Sequence, residues 1–148
     1  MKFSAKGEYG IRAIVDVALY AEAGEPRAVN MIARRQGIPI RFLEQVMNAL
    51  KKGGLVESYR GAAGGYRLAR PAEEITLADV IQAVEGPITM MDCVAEGGAC
   101  DKTTECVIRE VFCDVQRSVI DTLAAVTLAD VIKRTAAKEA ARVPMFEI

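Results

Sequence analysis

The sequence predicts a mostly helical protein that carries one small β-hairpin and a long helix in its C-terminal part. Apolar residues recur at intervals of three and four over several segments, which is the spacing of an amphipathic helix. Two short runs of strand-forming residues lie on either side of a glycine-bearing loop. With 148 residues, 51% of them hydrophobic and 26% charged, the chain has the size and composition of one folded domain with a modest extension.

Three helices are predicted in the first third of the chain. The first covers residues 4–22, with Ser4 as a candidate N-cap and an apolar face formed at helical spacing. The second covers about residues 29–36, and the third covers residues 39–52. One side of the third helix is apolar, and the opposite side is polar, with Arg41, Glu44, Gln45, Asn48 and Lys51.

A basic hairpin follows these helices. Its predicted strands are residues 55–59 and 65–68, and the loop between them begins at Arg60 and ends at Gly64. Helix, turn, helix and hairpin in this order predict a winged helix-turn-helix. In that fold the third helix fits the DNA major groove, while the wing reaches phosphates or an adjacent minor groove. A small helical domain with a merely solvated polar face is the alternative for the helix pair alone.

The charge distribution favours DNA binding by the first half. Residues 1–71 carry 12 Lys and Arg against 6 Asp and Glu, a net charge of +6. Residues 72–148 carry 7 against 14, a net charge of −7. A basic segment is the electrostatic signature of a protein that binds the phosphate backbone. We therefore expect residues 1–71 to be the DNA-binding domain.

The second half is predicted to connect and to dimerise. Residues 76–85 form a helix capped by Thr76, so residues 72–103 comprise a connecting helix and a cysteine loop. A long helix begins near Thr104, and residues 104–148 comprise this helix and a partly helical tail. The helix carries an apolar seam of Ile108, Val111, Phe112, Val115, Val119 and Leu123. Because so small a protein cannot cover such a seam alone, we expect a symmetric homodimer.

Several function classes are disfavoured by features that the sequence lacks. We find no internal repeat, no apolar run that could span a membrane and no secretory signal, so we expect a cytoplasmic protein. In that reducing compartment, four cysteines indicate a metal or redox site rather than structural disulfides. The chain has no histidine, no nucleotide-binding glycine loop and no evident nucleophile–base pair, so we do not expect an enzyme.

Four segments resemble the Rrf family of winged-helix transcription regulators, which includes IscR-, NsrR- and CymR-like proteins. These segments are MKFSAKGEYGIRAI, FLEQVMNALKKGGLVESYRGAAGGYRLARP, ITLADVIQAVEG and the cysteine loop, and together they span nearly the whole chain. The resemblance implies a dimeric DNA-binding regulator, usually a repressor, whose long C-terminal helices cross at the dimer interface. It further implies an iron–sulfur member of the family.

The resemblance also implies contacts with double-stranded operator DNA. It assigns Glu44 and Gln45 to base edges and Arg60 to a minor groove. The chemistry of these side chains agrees, because glutamine can pair with adenine and glutamate can accept a hydrogen bond from cytosine. Further candidate contacts are Arg41, Asn48, Lys51 and Tyr66, the last with Gly64 and Gly65 in front of it. A tight turn followed by a packed aromatic ring is the structural alternative for these last three residues.

The four cysteines have the spacing C-x6-C-x5-C-x6-C. This differs from the close pairs of zinc fingers and bacterial ferredoxins. Cys93, Cys100 and Cys106 resemble the three-cysteine loop of cluster-binding members, although the first gap is one residue longer. The cluster would be of the 2Fe–2S or the 4Fe–4S type. Thiol chemistry or zinc on the same DNA-binding scaffold remains the alternative, and an electron-transfer protein is the third hypothesis.

The fourth ligand has two candidates. IscR-like members use a histidine shortly after the third cysteine, and this chain has Arg109 there. Glu8 matches the acidic ligand that NsrR-like members supply from the partner subunit. Cys113 is the second candidate, but seven residues of helix separate it from Cys106 by about 10.5 Å, which makes joint ligation of a small cluster awkward. We therefore favour Glu8.

Overall fold

A computed structural model of the chain describes residues 2–20, 24–95, 98 and 105–142. It contains six α-helices and a two-stranded antiparallel hairpin within these ranges. The elements in order are α1 (Ala5–Leu19), α2 (Val29–Gln36), α3 (Ile40–Lys52), β1 (Val56–Tyr59), β2 (Gly65–Leu68), α4 (Leu77–Glu85), α5 (Val107–Ala124) and α6 (Leu128–Arg142). The predicted fold class, mostly α with a small β-hairpin wing, is therefore confirmed.

The core lies where α1, α3, α4 and α6 meet. Helix α1 packs against each of the other three, and α3 also packs against α4. The apolar stripe predicted on α3 is fully buried there, so the polar side of α3 faces outward. The core side chains are mostly β-branched or leucine, and the largest of them are Ile14, Ile32, Leu43, Met47, Leu50, Leu55, Ile75, Ile81 and Leu128.

The start of α1 is capped by a residue from α4. Ser4 occupies the N-cap position as predicted, but its side chain caps no backbone N–H. Instead, the backbone N–H and the hydroxyl of Ser4 donate to Oε1 of Glu85, at 2.8 and 2.6 Å, and the N–H of Gly7 donates to the same atom at 3.0 Å. The acceptor for the exposed donors of this helix end is thus a carboxylate distant in sequence.

The wing is tied to the chain that precedes α2. Strands β1 and β2 pair with Val56 opposite Leu68 and Tyr59 opposite Gly65. Arg27 forms an additional antiparallel bridge with Tyr66, with its N–H donating at 2.7 Å and its carbonyl accepting at 2.9 Å. Gly65 is required at this junction, because a Cβ atom there would lie 2.2 Å from the carbonyl oxygen of Arg27.

Two predicted helix boundaries are wrong by a few residues. The first helix ends at Leu19 rather than at residue 22, and the long helix begins at Val107 rather than at Thr104. Cys106 takes the extended backbone conformation of an N-cap, which sets the later start of α5. The tail was predicted to be partly helical, and α6 extends to Arg142 within the described residues. This helix begins at Leu128, whose side chain is completely buried in the core.

The expectation that the chain has no internal repeat is also wrong. The sequence TLADVI occurs at residues 76–81 and again at residues 127–132, and each copy begins a helix. A hexapeptide repeat escapes notice because it is far shorter than the repeats that build solenoids. In each copy, the threonine and the aspartate three residues later form hydrogen bonds with each other's backbone N–H. This capping box begins the helix that follows.

Within the described ranges, no helix combines the length and the apolar character needed to cross a bilayer.

Candidate nucleic-acid interface and cysteine site

The polar side of α3 forms an exposed surface. Arg41, Glu44, Gln45, Asn48 and Lys51 are all exposed, since the apolar stripe on the opposite side of the helix is buried in the core. Of these five residues, Lys51 donates from Nζ to the hydroxyl of Ser58 on β1 at 2.6 Å. The structure thus brings the predicted DNA-contacting residues of α3 together on one face and links that face to the wing.

A groove of about 440 Å³ lies between α3 and the wing. Its walls come from the start of α2, the first turns of α3 and the hairpin, and they include Glu44, Gly64, Gly65 and Tyr66. Arg60 is exposed in the hairpin loop next to this groove. We call the polar side of α3 together with residues 60–66 the recognition surface.

Some lining residues of the groove were not predicted from the sequence. Asn30 at the start of α2, Ile40 at the start of α3 and Tyr59 at the end of β1 all line it. Ile40 and Tyr59 belong to the small set of large hydrophobic side chains that are exposed. Both could have been predicted as contact residues, because each is an apolar residue close to the candidate polar contacts. Apolar side chains in such positions contact thymine methyl groups in the major groove.

Behind the recognition surface lies a buried carboxylate. Asp16 of α1 is completely buried, and among the described residues it is the only charged side chain that is. Its carboxylate accepts hydrogen bonds from Arg27 Nε at 3.2 Å and Gln36 Nε2 at 2.8 Å. Sequence reasoning overlooked Asp16, although an aspartate between Val15 and Val17 in an otherwise apolar stretch of helix was a signal.

The cysteine region is described in part. Cys93 and Cys106 are partly exposed, and Cys100 lies outside the described residues. Arg109, in the first turn of α5, donates from Nε to the backbone carbonyl of Cys93 at 3.0 Å. This bond brings the segment of Cys93 to the beginning of α5, where Cys106 is the N-cap. The two ends of the cysteine loop are therefore neighbours in the fold.

A groove of about 380 Å³ on α5 is lined by Cys106 and Cys113 together with Arg109 and Arg117. Within the ranges that the structure describes, no three Cys, Asp or Glu side chains are close enough together to hold a metal ion. The soft thiolates at Cys93 and Cys106 fit an iron–sulfur cluster chemically, and such a site needs further ligands, for which Cys100 is the candidate.

Glu8 lies in the first turns of α1 and is exposed. Its carboxylate forms an ion pair with Arg12, one turn further on, with 3.3 Å between Oε1 and Nη1. Arg12 also donates to the backbone carbonyl of Gln36 and lies over the ring of Tyr9. Tyr9 in turn meets Phe42 of α3 edge to face, with 5.4 Å between ring centroids. Glu8 is thus connected through aromatic and ionic contacts to both helices of the helix-turn-helix.

Comparison with known proteins gives consistent matches over most of the chain. The family model Rrf2, described as "Iron-dependent Transcriptional regulator", matches residues 3–134. The transcriptional regulator IscR of Vibrio campbellii is 37% identical over 133 residues, which cover 90% of this chain and 78% of that protein.

Two solved structures, a CymR and an IscR, have the same fold as this chain. CymR, described as the global cysteine regulator of B. subtilis, matches with a TM-score of 0.77 and 30% identity, covering 90% of this chain and 98% of that one. The IscR of T. potens matches with a TM-score of 0.76 and 34% identity, covering 98% of this chain and 93% of that one. These relatives are named as regulators and not as enzymes, in agreement with the prediction from the sequence.

Proposed function

The chain belongs to the Rrf2 family of DNA-binding transcription regulators, and from this premise we propose that it represses transcription by binding operator DNA as a homodimer. The observation that carries the proposal is the recognition surface, where an exposed polar helix side adjoins a basic hairpin. A helix of this kind fits the major groove, and an arginine-tipped wing fits the neighbouring minor groove. A regulator that binds the bacterial chromosome acts in the cytoplasm.

Specific roles follow from position on this surface. Glu44 and Gln45, near the middle of the exposed side of α3, contact base edges, and Arg60 enters the minor groove from the wing. Arg41, Asn48 and Lys51 contact phosphates and fix the register of the helix on the duplex. Gly64, Gly65 and Tyr66 hold the wing loop close to the DNA backbone.

The homodimer is supported by the exposed apolar seam of α5. None of the residues of α5 is fully buried within the chain, and Ile108 and Val111 are 62% and 51% exposed. An apolar groove of about 560 Å³ runs along the same side of the helix between Val111 and Leu123. Because a symmetric pair of such helices covers both seams at once, a second copy of this chain is the proposed occupant.

For the sensor, we propose an iron–sulfur cluster held by Cys93, Cys100 and Cys106. The proximity of the Cys93 segment to the Cys106 N-cap supports this ligand set, and it is maintained by the hydrogen bond from Arg109 Nε to the carbonyl of Cys93. Glu8 of the partner subunit is the proposed fourth ligand, and Cys113 is the less favoured one. A bound cluster would supply a group that nitric oxide or oxygen attacks and whose assembly depends on iron supply.

The alternative sensor retains the same DNA-binding scaffold and replaces the cluster with thiol oxidation or zinc. One observation favours this alternative sensor. CymR, the solved relative with the TM-score of 0.77, is described as a cysteine regulator rather than as an iron protein. The groove shared by Cys106 and Cys113 places two partly exposed thiols next to Arg109 and Arg117.

One experiment distinguishes the cluster hypothesis from the thiol or zinc hypothesis. The protein is purified without oxygen, its iron and sulfide are measured, and its absorption spectrum is recorded. Visible bands with matching iron and sulfide, lost in Cys106→Ala and altered in Glu8→Ala, would support the cluster. Cys113→Ala is the matched control and should leave the spectrum unchanged. A colourless protein that stays iron-free after reconstitution would overturn the cluster and favour thiol or zinc sensing. DNA binding is measured separately, as the salt dependence of duplex affinity, and does not depend on this outcome.

A further inference from the structure

Asp16 is a charged group in a place where charge is costly. Its side chain has no exposed surface, whereas charged side chains are almost never fully buried unless they are paired. The cost is offset by two hydrogen-bond donors and one further cation. Arg27 Nε lies 3.2 Å from Oδ1, and Gln36 Nε2 and Arg35 Nε lie 2.8 and 3.6 Å from Oδ2. A single carboxylate thus contacts donors from two further parts of the DNA-binding half.

The partners of Asp16 connect to both parts of the recognition surface. Arg27 is the residue whose backbone bridges to Tyr66, so its side chain anchors the inner edge of the wing. Gln36 is the last residue of α2, directly before the Gly37 turn that leads into α3. Its carbonyl also accepts a hydrogen bond from Arg12 of α1. The wing and the helix-turn-helix therefore share one anchoring point.

An aromatic ring completes this cluster. The guanidinium of Arg27 lies 3.7 Å from the ring centroid of Tyr20, and that of Arg35 lies 4.7 Å from it. The side chain of Arg27 is only 13% exposed, so most of it lies inside the protein. Both arginines are held by an ionic contact on one side and a cation–π contact on the other, which restricts their rotamers.

We propose that Asp16 is a positioning residue for sequence-specific DNA binding. By holding Arg27 and Gln36, its carboxylate fixes the orientation of the wing relative to α2 and α3. The two DNA-contacting elements then meet the major groove and the adjacent minor groove in register. A buried ion pair adds little net stability, and in some proteins it serves to define a geometry instead. The cluster around Asp16 fits that role. This inference rests on the proposed recognition surface.

The proposal predicts a loss of selectivity rather than of affinity for DNA in general. Asp16→Asn retains the size of the side chain but removes its charge, which frees Arg27 and the wing. The probes are a duplex selected from a random-sequence pool by the wild-type protein and a mixed-sequence duplex of equal length. We expect affinity for the selected duplex to fall about tenfold or more, and affinity for the mixed-sequence duplex to change less than about threefold, because phosphate contacts are retained.

Controls separate positioning from stability. Asp130→Asn alters a capping carboxylate on α6, away from the recognition surface, and should leave the ratio of the two affinities unchanged. All affinities are compared at a temperature where circular dichroism shows each variant folded. An unchanged ratio in folded Asp16→Asn would overturn the proposal. If that variant does not fold, Arg27→Lys decides, since lysine retains the charge but cannot make both contacts: a reduced ratio supports the proposal and an unchanged one overturns it.

The proposed recognition surface has its own test in the same assay. If Gln45→Ala and Arg60→Ala leave both affinities at the wild-type level, then that surface is wrong, whatever Asp16→Asn does. If these two variants lower affinity for the selected duplex while Asp16→Asn does not, then the surface stands and the positioning role of Asp16 fails.

Discussion

Thr76 and Thr127 face each other in an isolated antiparallel bridge, and each begins a helix with the same six residues. The N–H of Leu77 donates to the carbonyl of Val126, and the N–H of Leu128 donates to that of Ile75, both at 2.9 Å. The two copies of the repeat are thus joined by a symmetric pair of bonds at their N-terminal ends. This contact links α6 to the segment before α4 and explains why the C-terminal helix folds back onto α1.

The capping box at Thr127 predicts a pH-dependent contribution to stability. The pKa of Asp130 is lowered below its ordinary value of 3.8, first by the hydrogen bond from the backbone N–H of Thr127 and then by that from its hydroxyl. Arg134 and Lys133 lower this pKa further. Because the folded-state pKa is depressed, the contribution is present above pH 3.8 and is lost as the pH falls through the folded-state pKa.

We therefore expect Asp130→Asn to be less stable than the wild-type protein near neutral pH, with a difference that shrinks below about pH 4. Urea unfolding at a series of pH values measures this. Glu139→Gln, on the exposed side of the same helix, is the matched control and should follow the wild-type curve. Equal stability of Asp130→Asn and the wild type at all pH values would contradict the assigned role.

A second prediction concerns the junction of the wing. In Gly65→Ala the new methyl group would meet the backbone of Arg27 at 2.2 Å, and Gly65 has a φ of +153°. We expect a loss of about 1–3 kcal/mol in the free energy of unfolding, because neither backbone segment can move without breaking the bridge to Tyr66. Gly24→Ala is the control, since that glycine also has a positive φ but has no atom within 4 Å of its Cβ position. Thermal unfolding measures the stability of both variants. Comparable losses of stability in Gly65→Ala and Gly24→Ala would argue against backbone overlap at Gly65.

The recognition surface predicts two kinds of DNA phenotype. Gln45→Ala should weaken the free energy of binding to the selected duplex by about 1–3 kcal/mol, because a base-edge contact is lost. It should also relax the sequence preference at one base-pair position. Lys51→Ala should weaken binding to all sequences, because one phosphate contact is lost. The slope of the logarithm of affinity against the logarithm of salt concentration should decrease in magnitude by about 1. Titrations of selected and mixed-sequence duplexes at several salt concentrations distinguish the two. Identical phenotypes for both variants would refute the assignment of base and phosphate contacts.

The sequence predicted the elements of residues 1–71 well because each has strong local signals. The apolar stripe of α3 and the glycines flanking the wing depend on helical period and turn chemistry, which are local properties. The cap on α1 could not be predicted, because its acceptor, Glu85, is 78 residues from Gly7. The Asp16 cluster was equally hidden, since nothing local indicates that Arg27 and Gln36 meet around it. For the cysteine loop, the assignment of all the ligands stays a prediction: Cys93, Cys100 and Cys106, with Glu8 or Cys113 as the fourth.

The seam on α5 gives the last prediction, which concerns assembly. Val111 lies in the middle of the exposed apolar side, and Val111→Glu introduces one charge on each of two facing helices. We expect the dissociation constant of the dimer to rise roughly a hundredfold. Two carboxylates would be buried in the interface, and neither would have a cation or a hydrogen-bond donor to compensate for its lost hydration. Arg117→Glu is the control, as it makes a larger charge change at a position that is 71% exposed and lies outside the apolar groove. Sedimentation velocity over a range of concentrations gives the constant. If Val111→Glu and Arg117→Glu sediment alike, then the interface lies elsewhere, and a monomeric wild-type protein would exclude the proposed homodimer.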